Sequence, residues 1–475
     1  MSYLTHVDIG ALRPERFEEI LSEELYAKFG ATILEAKETL AGRVVWNVNS
    51  TARGGGVAEM LASLLAYARG ADVDARWTVI RGNSDFFAVT KRIHNHLHGA
   101  PGDGGELGDA AKKIYEDALA PNAGEFADLV AEDDIVLLHD PQTAGLAARL
   151  KETGATIIWR CHVGIDDPNE IAKGAWNFLL PHVAPADAYV FSRPDFSWEG
   201  LDDDKVVIVP PSIDAFSPKN QELDPATVDA ILATTKMVDA KPTATPSFFR
   251  VDGTVDVVAR TTDMYGAPPP DPSVPLVVQV SRWDALKDPL GVMAGSVEHV
   301  SHDTGAHLVL AGPSVEAVAD DPEGAQVLQQ TIDAWEALPE EQRRRVHLAC
   351  MPMDDGAENA AIVNALQRKA TVVVQKSIAE GFGLTVAEGM WKARPVVATR
   401  IGGIQDQIEH GVSGMLIDDP HDLAAYGAAV SELLGDPARA KAMGTSAKER
   451  VREGFLGPRH LIQYMDLIRK LITDR

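Results

Sequence analysis

The sequence predicts two doubly wound α/β domains, and three observations lead there. The chain has 475 residues, more than one hydrophobic core usually serves. Short apolar runs of strand length alternate with helical stretches from Arg43 to about Val209, and again from about Val274 onward. Such alternation gives parallel strands covered by helices on both faces. Between the two stretches the rhythm breaks, in a Pro- and Thr-rich segment that ends in Pro268-Pro269-Pro270-Asp271-Pro272.

Residues 1–42 are expected to form an arm holding one amphipathic helix, roughly Pro14 to Phe29. The first Rossmann-like domain, 43–215, takes its strands from Val44–Val48, Trp77–Ile80, Ile135–Leu138, Thr156–Trp159, Ala188–Phe191 and Val206–Val209. Its clearest helices are Val57–Ala68 and Glu125–Ala131. The interdomain segment 216–273 carries one helix, Pro225–Lys236. The second domain, 274–455, has strands at Leu276–Val280, His307–Ala311, Val346–Ala349, Thr371–Val374, Val396–Ala398 and Gly414–Ile417. A last helix, Pro458–Ile472, fills the terminal segment 456–475.

Composition narrows the class. No apolar run reaches the roughly eighteen residues of a membrane span, and the first residues lack the apolar core of a secretory signal. Two cysteines, Cys161 and Cys350, make no disulfide framework and no metal spacing, so a cytoplasmic protein is expected. The formal charge of −26 argues against nucleic acid and anionic lipid as partners. On so acidic a chain, an anionic ligand needs a local positive site, which gives weight to each cation at a strand end.

The strongest local signal is Glu380-Gly381-Phe382-Gly383-Leu384-Thr385-Val386-Ala387-Glu388. It lies between an apolar strand and a helix from Leu384 to about Ala393, so its glycines sit on a strand-to-helix turn. There, free backbone amides and the positive end of a helix dipole favour a diphosphate. Glu380 before the turn and Glu388 one turn into the helix can flank a nucleotide-sugar, one carboxylate on the hexose and one on the ribose. The plainer account makes Glu380 a cap and Glu388 a solvated helix residue. Arg282 and Lys287 lie in the loop after Leu276–Val280, where open parallel sheets bind ligands. Two cations there would stabilise a leaving nucleoside diphosphate.

Gly54-Gly55-Gly56 opens a helix after Val44–Val48, but Glu59 stands where a dinucleotide fingerprint needs glycine, and no Gly-Lys-Ser/Thr follows. A tight turn and a backbone approach to donor phosphates both remain open.

Together, Arg282…Lys287, Glu380-x7-Glu388 and Gly402-Gly403-Ile404…Gly411-x-x-Gly414 resemble the retaining GT-B glycosyltransferases of family 4. Gly54 to Glu59, Phe86-Phe87 with Thr90-Lys91 and His94-Asn95, His139-Asp140-Pro141-Gln142 and Trp159-Arg160-Cys161-His162 resemble its trehalose glycosyltransferring branch. The resemblance implies a GT-B fold, with two Rossmann-like domains facing a deep cleft and a terminal helix that crosses back to the first. It implies transfer from a nucleoside diphosphate glucose to free glucose, reversibly, giving trehalose with retained configuration. It makes Arg282, Lys287, Glu380 and His162 the catalytic group, with His162 turned to the transferring sugar. Gly54, Gly55, Gly56, Gly381, Phe382, Gly383, Leu384, Thr385 and Glu388 join the two cations around the donor. Lys91, Asn95, His139 and Asp140 become acceptor-binding candidates, although Lys91 and Asn95 also suit a charged helix surface.

No nucleophile–base couple is evident, in keeping with front-face substitution driven by electrostatic stabilisation of the leaving group. No Asp-x-Asp stands at a strand end, so no obligatory cofactor or metal is inferred; magnesium is compatible but not implied. The expected partners are small molecules, and a homo-oligomer stays open. Two other readings also stay open: a trehalose phosphorylase using inorganic phosphate, and a non-catalytic nucleotide-sugar binder.

Overall fold

The computed structural model describes residues 2–52, 55–266, 268–315 and 322–474. They form two compact units: Met1–Ser212 with Phe455–Arg475, and Ile213–Gly454.

Among the described residues, the first unit holds a seven-stranded sheet. Its strands are β1 (Leu4–Val7), β2 (Val45–Asn49), β3 (Ala75–Ile80), β4 (Ile135–His139), β5 (Thr156–Arg160), β6 (Ala188–Phe191) and β7 (Val206–Ile208). Their spatial order is β1-β3-β2-β4-β5-β6-β7. All neighbours are parallel except β1, which adds antiparallel to the β3 edge with Leu4 opposite Ile80. Side chains alternate across the sheet. Val136, Leu138, Ile157 and Trp159 pack on one face, while Val45, Ile135, Leu137 and Ile158 face Met465 and Ile468 of the terminal helix Gly457–Thr473 on the other.

The second unit holds β8 (Ser247–Phe249), β9 (Val255–Val257), β10 (Asp263–Gly266), β11 (Leu276–Val280), β12 (His307–Pro313), β13 (Val346–Met351), β14 (Val372–Gln375), β15 (Val396–Thr399) and β16 (Met415–Ile417). The main sheet runs β10-β13-β12-β11-β14-β15-β16, and β8-β9 is a separate antiparallel pair. Only the β10 edge of the main sheet is antiparallel. The 277–374 strands and the flanking helices bury one continuous core that includes Val292, Leu310, Val374 and Tyr426.

Several local expectations need correction. Pro14–Glu19 is a tight 3-10 turn, and the arm's α-helix runs Glu23–Thr39 rather than Pro14 to Phe29. Ser22 caps it, its hydroxyl accepting from Leu25 N at 3.3 Å, which places the helix start at Glu23, nine residues after Pro14. Glu125 lies at the end of the helix Asp109–Ala127 instead of opening one. The strands β1, β8, β9 and β10 were not expected, because three to four residues at a sheet edge carry too little pattern.

Candidate active site

Three strand ends in the second unit assemble the donor-side candidates. After β14 the chain turns through 376–383 into the helix Leu384–Trp391. Gly383 caps that helix at φ +81, a left-handed value that favours glycine. Gly402 and Gly403 press against the turn from the next loop. A Cβ on Gly402 would lie 1.9 Å from Glu380 O, and one on Gly403 2.8 Å from Phe382 Cα. Gly403 N donates to Gly381 O at 2.9 Å, and Gln407 Nε2 donates to Phe382 O at 2.5 Å. The carbonyls of the turn are thus satisfied from Gly403 and Gln407. Leu384 and Thr385, in the first helical turn, lack intrahelical acceptors for their amides, at the positive end of the dipole.

Lys287 closes a 3-10 turn, Ala285–Lys287, after β11. Ile378 N donates to Leu286 O at 2.8 Å, and Gln279 Nε2 to Lys287 O at 2.9 Å, so the turn is fastened to the chain leaving β14. Lys287 Nζ then reaches Glu380 Oε2 at 2.5 Å. Arg282 stands apart, with 62% of its side chain exposed and an ion pair to Asp284 at 2.9 Å. The structure therefore brings Lys287 onto the 380–385 turn and leaves Arg282 beside Asp284 at the surface.

Glu388 is 2% exposed. Its Oε1 faces Lys219 Nζ at 3.6 Å, while Oε2 is buried with no hydrogen-bond partner among the described residues. An acceptor-only oxygen in that state carries an uncompensated desolvation cost. Lys392, one turn on, donates to Glu388 O at 3.1 Å and to Asn220 Oδ1 at 2.9 Å. Burial pushes its ammonium down to about 7, against the opposing pull of the Glu388 charge.

Sequence reasoning missed Lys219, Asn220 and Lys392, and also the buried pair of Lys376 with Asp288. Asp288 takes φ +49 and caps the helix Pro289–His299 through Gly291 N at 3.0 Å. The Asp-Pro step could have announced that cap. Lys219 sits in irregular chain, where no periodicity points at it.

In the first unit, Gly55 (φ +81) caps the helix Gly56–Gly70; Gly54 lies outside the described residues. Lys91 is exposed and Asn95 half-buried, one turn apart on the helix Ser84–Leu97. β4 and β5 end in register, His139 opposite Arg160. His139 is buried, with Nε2 2.9 Å from Asn47 Oδ1 and Nδ1 3.2 Å from His162 Nε2. Asp140 holds φ +65, rare for a residue with a side chain, and its Oδ1 accepts from His162 N at 2.8 Å. Burial raises the Asp140 carboxyl to about 6. Burial, then the Arg160 charge, hold the His139 imidazole down at about 3 and His162 well below its ordinary value. Both rings are neutral near pH 7. Both His139 nitrogens are engaged inside the protein, and His162 Nδ1 has no hydrogen-bond partner among the described residues.

Residues 47–198 match the family described as "Trehalose synthase, N-terminal domain", and residues 356–450 match "Glycosyl transferases group 1". Trehalose synthase of Pyrococcus horikoshii is 35% identical over 462 residues, covering 97% of each chain. Its counterpart in Rubrobacter xylanophilus is 37% identical over 460 residues, covering 96% of each. The chain belongs to the trehalose synthase family of glycosyltransferases. A trehalose phosphorylase of Grifola frondosa is more distant, 26% identical over 430 residues, covering 85% of this chain and 54% of that one. The fold is shared with an α,α-trehalose-phosphate synthase (UDP-forming) from Burkholderia xenovorans, with a TM-score of 0.64 at 14% identity, covering 91% of this chain and 100% of that one. It is the GT-B fold of two Rossmann-like domains, and membership makes the chain an enzyme of the glycosyltransferase class. Among the described residues, no helix is long and apolar enough to cross a membrane.

Proposed function

We propose that this enzyme is a retaining glucosyltransferase that moves the glucosyl group of a nucleoside diphosphate glucose onto free glucose, forming α,α-trehalose, and that it runs in both directions. Glu388 Oε2 carries the donor half of this reading: a buried acceptor without a donor, one turn past a strand-to-helix turn suited to a diphosphate. A ribose hydroxyl supplies the missing donor. The trehalose half rests on the near full-length likeness to trehalose synthases.

In this reading the diphosphate lies on the amides of Leu384 and Thr385, with Lys287 and Arg282 countering the charge that grows as the glucose–phosphate bond breaks. Glu380 exchanges its contact with Lys287 for a hexose hydroxyl, and its charge favours the oxocarbenium-like centre. The acceptor hydroxyl enters on the face the phosphate leaves, and the leaving phosphate takes its proton. Asp140, Lys91 and Asn95 belong to the acceptor side. No step is assigned to a metal. Two buried free thiols, Cys161 and Cys350, suit the reducing cytoplasm.

A phosphorylase would release or use bare phosphate and leave Glu388 Oε2 without work. Incubating the enzyme with glucose and each of ADP-, UDP- and GDP-glucose, then recording proton NMR of the disaccharide, tests the proposal. An α,α-linked product is expected. A β-anomeric signal overturns retention, product formed only on glucose 6-phosphate overturns the acceptor, and trehalose breakdown that needs phosphate but no nucleoside diphosphate overturns the donor.

A further inference from the structure

One face of the first sheet changes from apolar to polar at its carboxyl end. Val45, Leu137 and Ile158 are succeeded on that face by Asn47 on β2, His139 on β4 and Arg160 on β5. All three are buried, and the terminal helix adds His460, whose Nδ1 lies 3.1 Å from Ser212 Oγ. Arg160 donates to Phe191 O at 3.0 Å and to Ser192 Oγ at 3.3 Å, while its Nε has no partner among the described residues. Around the two rings lie Arg160, Asp140 and His460, with Arg459 and Tyr464 beside His460.

A neutral imidazole has one N–H and one bare nitrogen, and its partners decide which is which. A second positive charge beside the buried Arg160 is strongly disfavoured, so both rings stay neutral. Asn47 Oδ1 can only accept, which puts the His139 proton on Nε2 and leaves Nδ1 bare. That bare nitrogen can only accept, which puts the His162 proton on Nε2. The rings are nearly parallel, 16° apart, and the amide of His162 is pinned to Asp140 Oδ1. Among the described residues nothing hydrogen-bonds His162 Nδ1.

We propose that Asn47 and His139 are positioning residues that fix the His162 tautomer, so that a bare Nδ1 is presented to the transferring sugar. This rests on the reading of His162 as a donor-sugar residue. A lone pair turns the negative end of the imidazole dipole toward the sugar, where positive charge grows at the anomeric centre. The other tautomer would turn an N–H there and oppose that charge. Asn47 and His139 touch no substrate; they act through His162.

Two-bond proton–nitrogen correlation spectra of the full chain, labelled with 15N-histidine and free of substrate, read the tautomers directly. His162→Gln and His139→Asn identify the two rings by loss of signal. Both histidines are expected neutral and protonated at Nε2 from pH 6 to 8. A His162 protonated at Nδ1, or charged, overturns the proposal. His139→Asn keeps an acceptor oxygen near the position of Nδ1, and is expected to retain the His162 tautomer. His139→Leu and Asn47→Leu remove the constraint, and are expected to mix the His162 tautomers and lower kcat by roughly tenfold or more, with free nucleoside diphosphate binding unchanged. If either leucine variant folds and keeps the wild-type tautomer, or loses it with kcat intact, the relay has no role. Full activity in His162→Gln with the expected spectra would instead sink the reading of His162 and leave the tautomer relay standing.

Discussion

Lys287 Nζ lies 2.5 Å from Glu380 Oε2, so the cation assigned to the leaving diphosphate and the carboxylate assigned to the hexose hold each other before substrate arrives. Both side chains are mostly buried, 16% and 12% exposed. The pair keeps each group in place at low reorganisation cost and releases both to the donor. Removing one partner leaves the other charged in a confined site. Lys287→Ala is expected to lower kcat by about a hundredfold, and Glu380→Gln by a similar factor. Because the two touch, the double variant should lose clearly less than the product of the single losses. Strictly multiplicative losses would show that the contact has no part in transfer. Arg282→Ala, at an exposed position, should cost activity while changing stability by less than about 0.5 kcal/mol.

Glu388 and Glu380 separate by measurement. Losing a hydrogen bond to a charged acceptor costs about 1.5–3 kcal/mol, so Glu388→Gln should weaken binding of free nucleoside diphosphate by roughly tenfold to a hundredfold. Glu380→Gln should leave that affinity nearly unchanged and reduce transfer. Calorimetric titration of both variants decides it, and a reversed pattern means the hexose and ribose roles are exchanged.

The parallel core was legible because strands buried on both faces read as uninterrupted apolar runs; Leu276–Val280 and Ala188–Phe191 matched residue for residue. The turn at 380–388 was legible because glycines at a strand-to-helix step and two carboxylates eight positions apart have few other uses. Partners supplied by tertiary packing were not. Lys219 meets Glu388 across 169 positions of chain, Asn47 meets His139 across 92, and Gly402 is pressed against Glu380 O from another loop. No local pattern records such approaches. His139 showed itself in sequence as a strand-end residue, but which way its nitrogens are engaged depends on the neighbouring strand.

Gly402 and Gly411 offer a controlled pair. Both have positive φ, +46 and +80, so alanine strains either backbone, by roughly 1–2 kcal/mol. Only at Gly402 does a Cβ collide, at 1.9 Å from Glu380 O, whereas at Gly411 nothing lies within 4 Å. The collision is with backbone and no side-chain rotation relieves it. Gly402→Ala should displace the 380–383 turn and lower kcat by about a hundredfold, the scale of a 1 Å misplacement. Gly411→Ala should lose stability alone. Equal activity in the two variants would remove the packing argument for Gly402.

Acid should destabilise the first unit before ordinary carboxylates titrate. His139 is fully buried and held at about 3, and burial holds His162 and His460 well below their ordinary value of 6.5. A folded-state base with a depressed pKa binds fewer protons than the unfolded chain as pH falls below 6.5, so stability drops as pH falls. For His139 alone the loss between pH 7 and 5 is roughly 2 kcal/mol. Asp140 works the other way: its folded pKa is raised to about 6, so it favours the folded state as pH falls through that value, by about 1 kcal/mol at pH 5. Three histidines outweigh one aspartate. Urea unfolding of the first unit's transition should therefore show lower stability at pH 5 than at pH 7, with a shallower slope in His139→Asn. Stability that is flat or rising toward pH 5 would mean the histidines take up protons in the folded protein, which the buried charge of Arg160 opposes.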